Sequence, residues 1–264
     1  MKKKTDFGEL LNGFIETGAQ PGDLVMFHSS YKSFGGVDGG ADTVIDALVE
    51  CVLPDSTKSD AEAGAVFFPT YGVNAWCNQH YWHIGETPSE MGAISEAARL
   101  RQESTRTMHP IHNFAIIGGW RQSFNFQNLE SYGERSPYNL FNVENGLVIS
   151  AGVPWDDTFT MVHYAERLAN APWRRYKKFA GTYVDSWGQA SLRTYSMHVR
   201  RDMQTITSVA RLYDEYLVPR GVVKQVQIGG SLVSYFRTAE YVDAVIPLVQ
   251  SRPELFYYTK GWKE

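Results

Sequence analysis

His163 and Glu166 stand three residues apart in the segment TFTMVHYAE, which runs from Thr158 to Glu166. If this segment is helical, the two side chains lie on the same face. A carboxylate that orients a histidine is a common way to build a general base with a pKa near neutrality. Thr160 would share that face and could donate a hydroxyl hydrogen bond. The same spacing is also typical of surface ion pairs, which contribute little to stability.

A second chemical candidate is the glycine-rich stretch FHSSYKSFGGVDGG, residues 27–40. A glycine loop between a strand and a helix directs backbone N–H groups and the positive end of the helix toward one point, where a phosphate can bind. Lys32 and the hydroxyls of Ser29, Ser30 and Ser33 could add donors there. The stretch lacks the sequence of a P-loop and of a Rossmann dinucleotide site. A tight connection that needs glycine for positive φ explains it equally well.

Ligand-type residues also occur at tight spacing in Cys77, His80 and His83, and His109 and His112 could complete a metal site. Closed zinc sites usually have spacing that is richer in thiolates, so we predict no metal. A metal-dependent hydrolase remains the alternative that this cluster leaves open.

Composition sets limits on the class of protein. Of 264 residues, 43% are hydrophobic and 20% are charged, which predicts a globular chain. The net charge of −4 argues against nucleic acid or an anionic membrane as partner. Cys51 and Cys77 form no disulfide framework, and the sequence has no signal-peptide pattern and no apolar stretch as long as a membrane span. These features predict a cytoplasmic protein.

The elements that must position these residues follow from the apolar pattern. Helical spacing predicts helices at 7–15, 44–52, 158–169, 206–217 and 238–249, and the capping-box pattern TPSE at 87–90 predicts a helix through Ala98. Apolar runs predict strands at 23–28, 65–68, 114–117, 147–151 and 222–228, and residues 55–63 read as a loop. Residues 183–199 alternate, which predicts an antiparallel hairpin with its turn at Gly188. We therefore expect an α/β fold: a single compact domain, 1–264, with a mixed central sheet flanked by helices, plus a C-terminal antiparallel hairpin.

Taken in order, these segments resemble the aminoglycoside 3-N-acetyltransferase family. The resemblance extends over residues 5–258 and is carried by HSSYKSFGGVDGG, FFPTY, TPSEMGAISEAAR, RTMHPIHNFAIIG, SPYNLF, VISAGVPWDDTFTMVHYAE and VVKQVQIGGSLVSYFRTAEYVD. The larger, unrelated N-acetyltransferase superfamily would show Q/R-x-x-G-x-G/A, which the stretch QIGGSL does not match. The sequence departs from the family at Asn113, where serine is usual, and in the short aromatic segment between Tyr71 and Thr87.

The resemblance implies an N-acetyltransferase that uses acetyl-CoA as co-substrate and no metal, with His163 as base and Glu166 as its partner. It implies CoA contacts from the glycine loop and from a second wall, namely Ser29, Ser30, Lys32, Ser33, Gly35, Arg106, Thr107, His109 and Phe114. We expect direct acetyl transfer in a ternary complex to a primary amine. Our candidate acceptor contacts are Tyr71, Trp76, His83 and Asp157.

The acceptor itself is predicted from charge. Aminoglycosides are polycations that favour a strongly acidic pocket, whereas the candidate loop carries aromatic and histidine side chains, which suit a single sugar ring. We therefore predict an amino sugar, with an aminoglycoside as the second choice. A non-catalytic CoA- or nucleotide-binding regulator on the same scaffold is the alternative, and a homodimer is compatible with the sequence.

Overall fold

The computed structural model describes residues 4–53, 64–119, 127–158, 160–202 and 205–259. The predicted loop at 55–63 lies outside the described residues. In chain order the described strands are β1 (Leu24–Ser29), β2 (Ala65–Pro69), β3 (Tyr81–His83), β4 (Thr105–Arg106), β5 (Phe114–Gly118), β6 (Leu147–Ala151), β7 (Arg174–Val184), β8 (Ala190–Arg200), β9 (Thr205–Thr207), β10 (Lys224–Ile228), β11 (Ser231–Arg237) and β12 (Tyr257–Thr259). The α-helices are α1 (Phe7–Glu16), α2 (Ala41–Val52), α3 (Val73–Cys77), α4 (Ala93–Leu100), α5 (Pro137–Val143), α6 (Trp155–Thr158), α7 (Met161–Leu168) and α8 (Thr238–Ser251).

A seven-stranded mixed sheet forms the centre of the fold, in the order β10-β11-β6-β1-β2-β5-β4. Strand β1 is parallel to both β2 and β6, and the outer pairs are antiparallel. Strands β1, β2 and β6 are buried along almost their whole length. Burial on both faces explains why these strands appear in the sequence as continuous apolar runs rather than alternating ones.

Helices cover both faces of this sheet. One face packs against α1, α2 and α4 through residues such as Phe14, Leu48 and Ile94. The other face packs against α5, α7 and α8 through residues such as Phe141 and Val245. The predicted α/β fold with a mixed central sheet flanked by helices is therefore confirmed.

A separate three-stranded sheet, in the order β3-β7-β8, contains the predicted hairpin. The hairpin turns at Gly188, whose φ of 75° suits glycine, but its paired strands reach back to Arg174 and Arg200. It therefore begins nine residues earlier than the alternating pattern indicated, because the extra residues pair through the backbone with few apolar side chains. The hairpin is not C-terminal: β9 to β12 and α8 follow it.

The predicted capping box at 87–90 is wrong. Helix α4 begins at Ala93, after Gly92 with a φ of 105°. The Glu90 carboxylate instead accepts hydrogen bonds from the backbone N–H groups of Asn74 (2.9 Å) and Ala75 (3.0 Å), at the start of α3. These N–H groups have no partner inside their own helix. The acid therefore caps a helix that is distant in sequence.

Two other helix predictions need correction. The segment predicted as one helix at 158–169 contains the end of α6 and then α7, which are separate helices. The segment predicted as a helix at 206–217 contains the end of β9 and a π-helical turn at Leu212–Leu217. Among the described helices, none has the length and apolar character needed to cross a bilayer.

Candidate active site

Helix α7 places His163 and Glu166 on one face, as their spacing predicts. His163 Nδ1 lies 2.7 Å from Glu166 Oε2. The Glu166 side chain is fully buried, whereas that of His163 is 29% exposed. This is therefore not a surface ion pair, because one partner has no access to solvent.

Two further residues bind the Glu166 carboxylate. Trp173 Nε1 donates to Oε1 at 2.7 Å, and Arg174 Nε donates to Oε2 at 2.9 Å. The chain leaves α7 through Asn170, which has a φ of 52°, and enters β7 at Arg174. This reversal brings Trp173 and Arg174 back against the helix. Sequence analysis missed both residues.

The electrostatics of this group determine which nitrogen of His163 can act. Burial acts to raise the pKa of Glu166, but the hydrogen bond and charge of His163 and the charge of Arg174 outweigh it and lower that pKa to about 2. Because an ionised carboxylate can only accept, the shorter 2.7 Å contact with Glu166 favours the proton on Nδ1 over the competing 3.0 Å contact of that nitrogen with Arg174 Nη2. The lone pair is then on Nε2, which makes no hydrogen bond to any described residue. Burial and the charge of Arg174 lower the pKa of His163, against the effect of Glu166, so the ring is neutral at pH 7.

His163 opens onto a cavity of about 430 Å³, which we call the His163 cleft. Its lining comes from α6, α7, the second sheet, the loops after β2 and before β5, and the segment after β9, and includes Tyr71, Asp157, Thr160, Arg174, Arg200 and Val209. Thr160 Oγ1 lies 3.0 Å from the Tyr71 hydroxyl, which lies 2.6 Å from the Tyr138 hydroxyl. Among the described residues, the cleft therefore combines a neutral imidazole with hydroxyl groups and two exposed carboxylates, of which Asp156 accepts hydrogen bonds from Ser208 and Val209 and Asp157 makes none.

The candidate acceptor residues separate into two groups. Tyr71 and Asp157 line the His163 cleft. Trp76 and His83 lie outside its lining: Trp76 is fully buried and donates to the Phe179 carbonyl, and His83 Nδ1 accepts from nearby backbone N–H groups. Trp76 is buried because it belongs to a separate apolar cluster that packs on the second sheet.

The glycine loop is a 3₁₀ turn at Tyr31–Phe34, followed by Gly35 with a φ of 77°. Ser33 is used internally, since its hydroxyl donates to the Ser30 carbonyl (2.7 Å) and lies 2.7 Å from Ser231 Oγ. The hydroxyls of Ser29 and Ser30 and the exposed Lys32 ammonium make no hydrogen bonds to the described residues. These three side chains remain available to a ligand, whereas Ser33 fixes the loop against β11.

The second predicted CoA wall is mostly interior. His109 and Phe114 are fully buried, and Thr107 Oγ1 accepts from the backbone N–H of Phe114 at 2.9 Å. Arg106 donates to the Asn113 side chain and to the carbonyls of Ile84, Thr87 and Thr70. In this structure these residues are buried or bonded to neighbouring protein groups, so a direct contact with CoA remains a prediction.

Asn113, where the family usually has serine, has a structural explanation. Its Oδ1 accepts from Thr70 Oγ1 (2.6 Å) and Arg106 Nε (2.8 Å), and its Nδ2 donates to the Pro110 carbonyl (2.9 Å). A serine side chain is too short to make all three bonds. For the described residues, no group of three or more His, Cys, Asp or Glu side chains is arranged to hold a metal ion.

A family model described as aminoglycoside 3-N-acetyltransferase matches residues 26–250. The chain is 27% identical to aminoglycoside N(3)-acetyltransferase VIII of Streptomyces fradiae, over 93% of this chain and 92% of that one. It is 30% identical to the SPbeta prophage-derived aminoglycoside N(3')-acetyltransferase-like protein YokD of Bacillus subtilis (strain 168), over 69% of this chain and 79% of that one.

Solved structures share the fold. The structure of AAC-IIIb, a binary complex with CoASH, has a TM-score of 0.79 and 21% identity, and the match covers 95% of this chain and 98% of that one. The aminoglycoside acetyltransferase AAC(3)-Xa has a TM-score of 0.78 and 22% identity, and covers 93% of this chain and 92% of its own. Because the family model spans most of the sequence, the chain belongs to the aminoglycoside 3-N-acetyltransferase family, and its predicted class, an acetyl-CoA-dependent N-acetyltransferase, is confirmed.

Proposed function

We propose that this protein transfers the acetyl group of acetyl-CoA directly to a primary amine on a sugar-like acceptor, with His163 as general base. One observation carries the proposal: Glu166 fixes the proton on His163 Nδ1, which leaves the lone pair of Nε2 on the ring edge available to the cleft. A neutral, oriented imidazole beside a cavity is suited to remove a proton from an attacking amine.

The acceptor ammonium group first releases one proton to solvent, and the neutral amine attacks the thioester carbonyl. The C–N bond forms as His163 Nε2 accepts the second nitrogen-bound proton, and Glu166 stabilises the resulting imidazolium. The C–S bond then breaks, and the imidazolium returns its proton to the CoA thiolate.

Direct transfer is favoured over an acetyl-cysteine intermediate by the state of both thiols. Burial raises the pKa of Cys51 to about 11, and burial also raises that of Cys77 to about 11. Both side chains are therefore protonated thiols at neutral pH, and a thiol is a far weaker nucleophile than a thiolate. Neither cysteine is among the residues that line the His163 cleft.

We assign CoA to the glycine loop, with Ser29, Ser30, Lys32 and the backbone at Gly35 as its contacts and Ser33 as the residue that supports the loop. We assign the acceptor to the His163 cleft, with Tyr71 against the sugar and Asp157 near the ammonium group. The same proposal locates the enzyme in the cytoplasm, where acetyl-CoA is made.

The test is an assay of CoA thiol release over a panel of aminoglycosides, nucleotide-linked amino sugars and simple amines. Initial rates with both substrates varied should give intersecting double-reciprocal lines, which indicate a ternary complex. Parallel lines would contradict direct transfer, and a chain that binds CoA but acetylates no amine would favour the regulator.

A further inference from the structure

A second cavity, of about 570 Å³, shares Arg174 and His198 with the His163 cleft. We call it the arginine pocket. Its charged lining is four arginines, Arg167, Arg174, Arg175 and Arg201, against one carboxylate, Glu130. The chain as a whole has a net charge of −4, so this concentration of positive charge is local.

The guanidinium groups of this pocket keep much of their hydrogen-bonding capacity. The Arg201 guanidinium makes no hydrogen bond to the described residues. Arg175 uses only Nε, which donates to the Arg201 carbonyl at 3.2 Å. Arg167 uses Nε on the Tyr176 hydroxyl at 3.0 Å and approaches Glu130 only to 3.9 Å. A guanidinium carries five donors, so each of these three groups can bind a further acceptor.

Arg174 links the two cavities. Its Nε bonds Glu166 and its Nη2 lies 3.0 Å from His163 Nδ1, while its Nη1 has no partner among the described residues. The same side chain therefore holds the catalytic carboxylate and lines the arginine pocket.

An independent observation comes from His198. Its side chain is only 6% exposed, and its Nδ1 is buried without a hydrogen-bond partner in the described part of the chain. A buried polar atom without a partner is costly, and native proteins leave few of them. His198 lines both cavities, but this nitrogen is closed off from them, so a bound group reaches it only if the ring turns.

We propose that the arginine pocket binds a phosphate group, and that this group belongs to the acceptor, which is then a phosphorylated or nucleotide-linked amino sugar. The acceptor assignment rests on the proposed function. Planar guanidinium groups match phosphate oxygens two at a time. Because Arg174 and His198 line both cavities, the pocket adjoins the cleft, and the proposal requires an acceptor that reaches past these two side chains to place its amine near His163 and its phosphate among the arginines. A polycationic aminoglycoside would be repelled by the same four charges.

The test is calorimetric binding of inorganic pyrophosphate, of glucosamine 6-phosphate and of glucosamine. The wild-type protein should bind both phosphate-containing probes, with affinities that fall as KCl is raised. Glucosamine should bind at least roughly tenfold more weakly than its phosphate. The variants Arg175→Glu and Arg201→Glu should each weaken phosphate binding about tenfold and leave glucosamine unaffected. Both side chains are exposed, so folding should persist.

The matched control is Lys224→Glu, which makes the same change of charge on β10 of the central sheet. It should leave phosphate binding unchanged. If pyrophosphate and glucosamine 6-phosphate fail to bind, or if the double variant Arg175→Glu/Arg201→Glu binds them as well as wild type, the pocket is not a phosphate site.

The second source of phosphate is CoA itself, and comparison of CoA with dephospho-CoA separates the two. If the 3′-phosphate strengthens binding in wild type but not in the double variant, the pocket belongs to CoA and the acceptor assignment is wrong. The binding measurements need no turnover. A protein that binds pyrophosphate through these arginines but acetylates no amine would therefore contradict the proposed function alone.

Discussion

Arg174 and Glu166 form a buried ion pair, with 2.9 Å between Arg174 Nε and Glu166 Oε2 and side chains that are 5% and 0% exposed. The hydrogen bond from His163 and the positive charge of the arginine keep the carboxylate ionised although its side chain is fully buried. The carboxylate in turn fixes the tautomer of His163. The histidine is thus oriented through a charge that comes from a different element of the fold.

The first prediction concerns His163. His163→Ala should lower kcat by about 10²–10⁴-fold and leave acetyl-CoA affinity nearly unchanged, since only proton transfer is lost. In wild type the active form is the neutral ring, and its pKa is lowered, so the rate should fall only as pH drops below the usual histidine range near 6.5. This decrease in rate at low pH should be absent from the variant. Steady-state rates with CoA binding measure both effects, with His80→Ala outside the cleft as control. A folded variant that turns over near the wild-type rate would remove His163 from catalysis.

The second prediction concerns Glu166. Glu166→Gln should lower the free energy of unfolding by about 3–5 kcal/mol, because it leaves the Arg174 cation buried without its counter-charge. Urea denaturation measures the loss. Glu215→Gln, at the surface pair with Arg211, is the matched control and should change little. Equal free energies of unfolding for the two variants would mean that the buried ion pair does not stabilise the fold.

The third prediction concerns acid stability. Burial lowers the pKa of His28 and His109 to about 3 and that of His198 to about 4. The unfolded chain therefore binds these protons first, and stability is complete above pH 6.5 and is lost as pH falls toward the folded-state values. Between pH 7.5 and 5.5, the free energy of unfolding should fall by about 1 kcal/mol for each histidine.

Denaturation at both pH values tests this linkage. His109→Asn should reduce the change in the free energy of unfolding between the two pH values by about the amount that one histidine contributes. His80→Asn, at an exposed position, serves as the control. A wild-type protein equally stable at pH 7.5 and 5.5 would show that these rings are not buried in their neutral form.

The fourth prediction concerns Lys32. Lys32→Glu should weaken CoA binding roughly tenfold, and the difference should shrink at high salt, because an exposed ammonium group acts on phosphate through a screened charge. Calorimetry with CoA measures the effect, and Lys178→Glu on β7 provides the same charge change away from the loop. Unchanged affinity in Lys32→Glu alone would remove the glycine loop from the CoA site.

Local patterns account for the parts of this protein that depend on neighbours in sequence. The apolar runs predicted β1, β2, β5 and β6, since strands buried on both faces need apolar side chains throughout. The spacing of His163 and Glu166 predicted their contact, since residues three apart on a helix share a face. Asn113, by contrast, stood out only as a departure from the family until its three hydrogen bonds explained it.

The tertiary structure decided which distant residues meet. No local rule pairs Glu90 with the N-terminus of α3, or selects Tyr71 and Asp157 for the cleft while Trp76 is buried under the second sheet. Arg174 illustrates the reason. A buried carboxylate requires a counter-charge, and this requirement follows from the sequence only once Glu166 is known to be buried. Burial is a property of packing between α7, β7 and the central sheet, so the identity of that counter-charge, and the arginine pocket beside it, emerge only when the chain is folded.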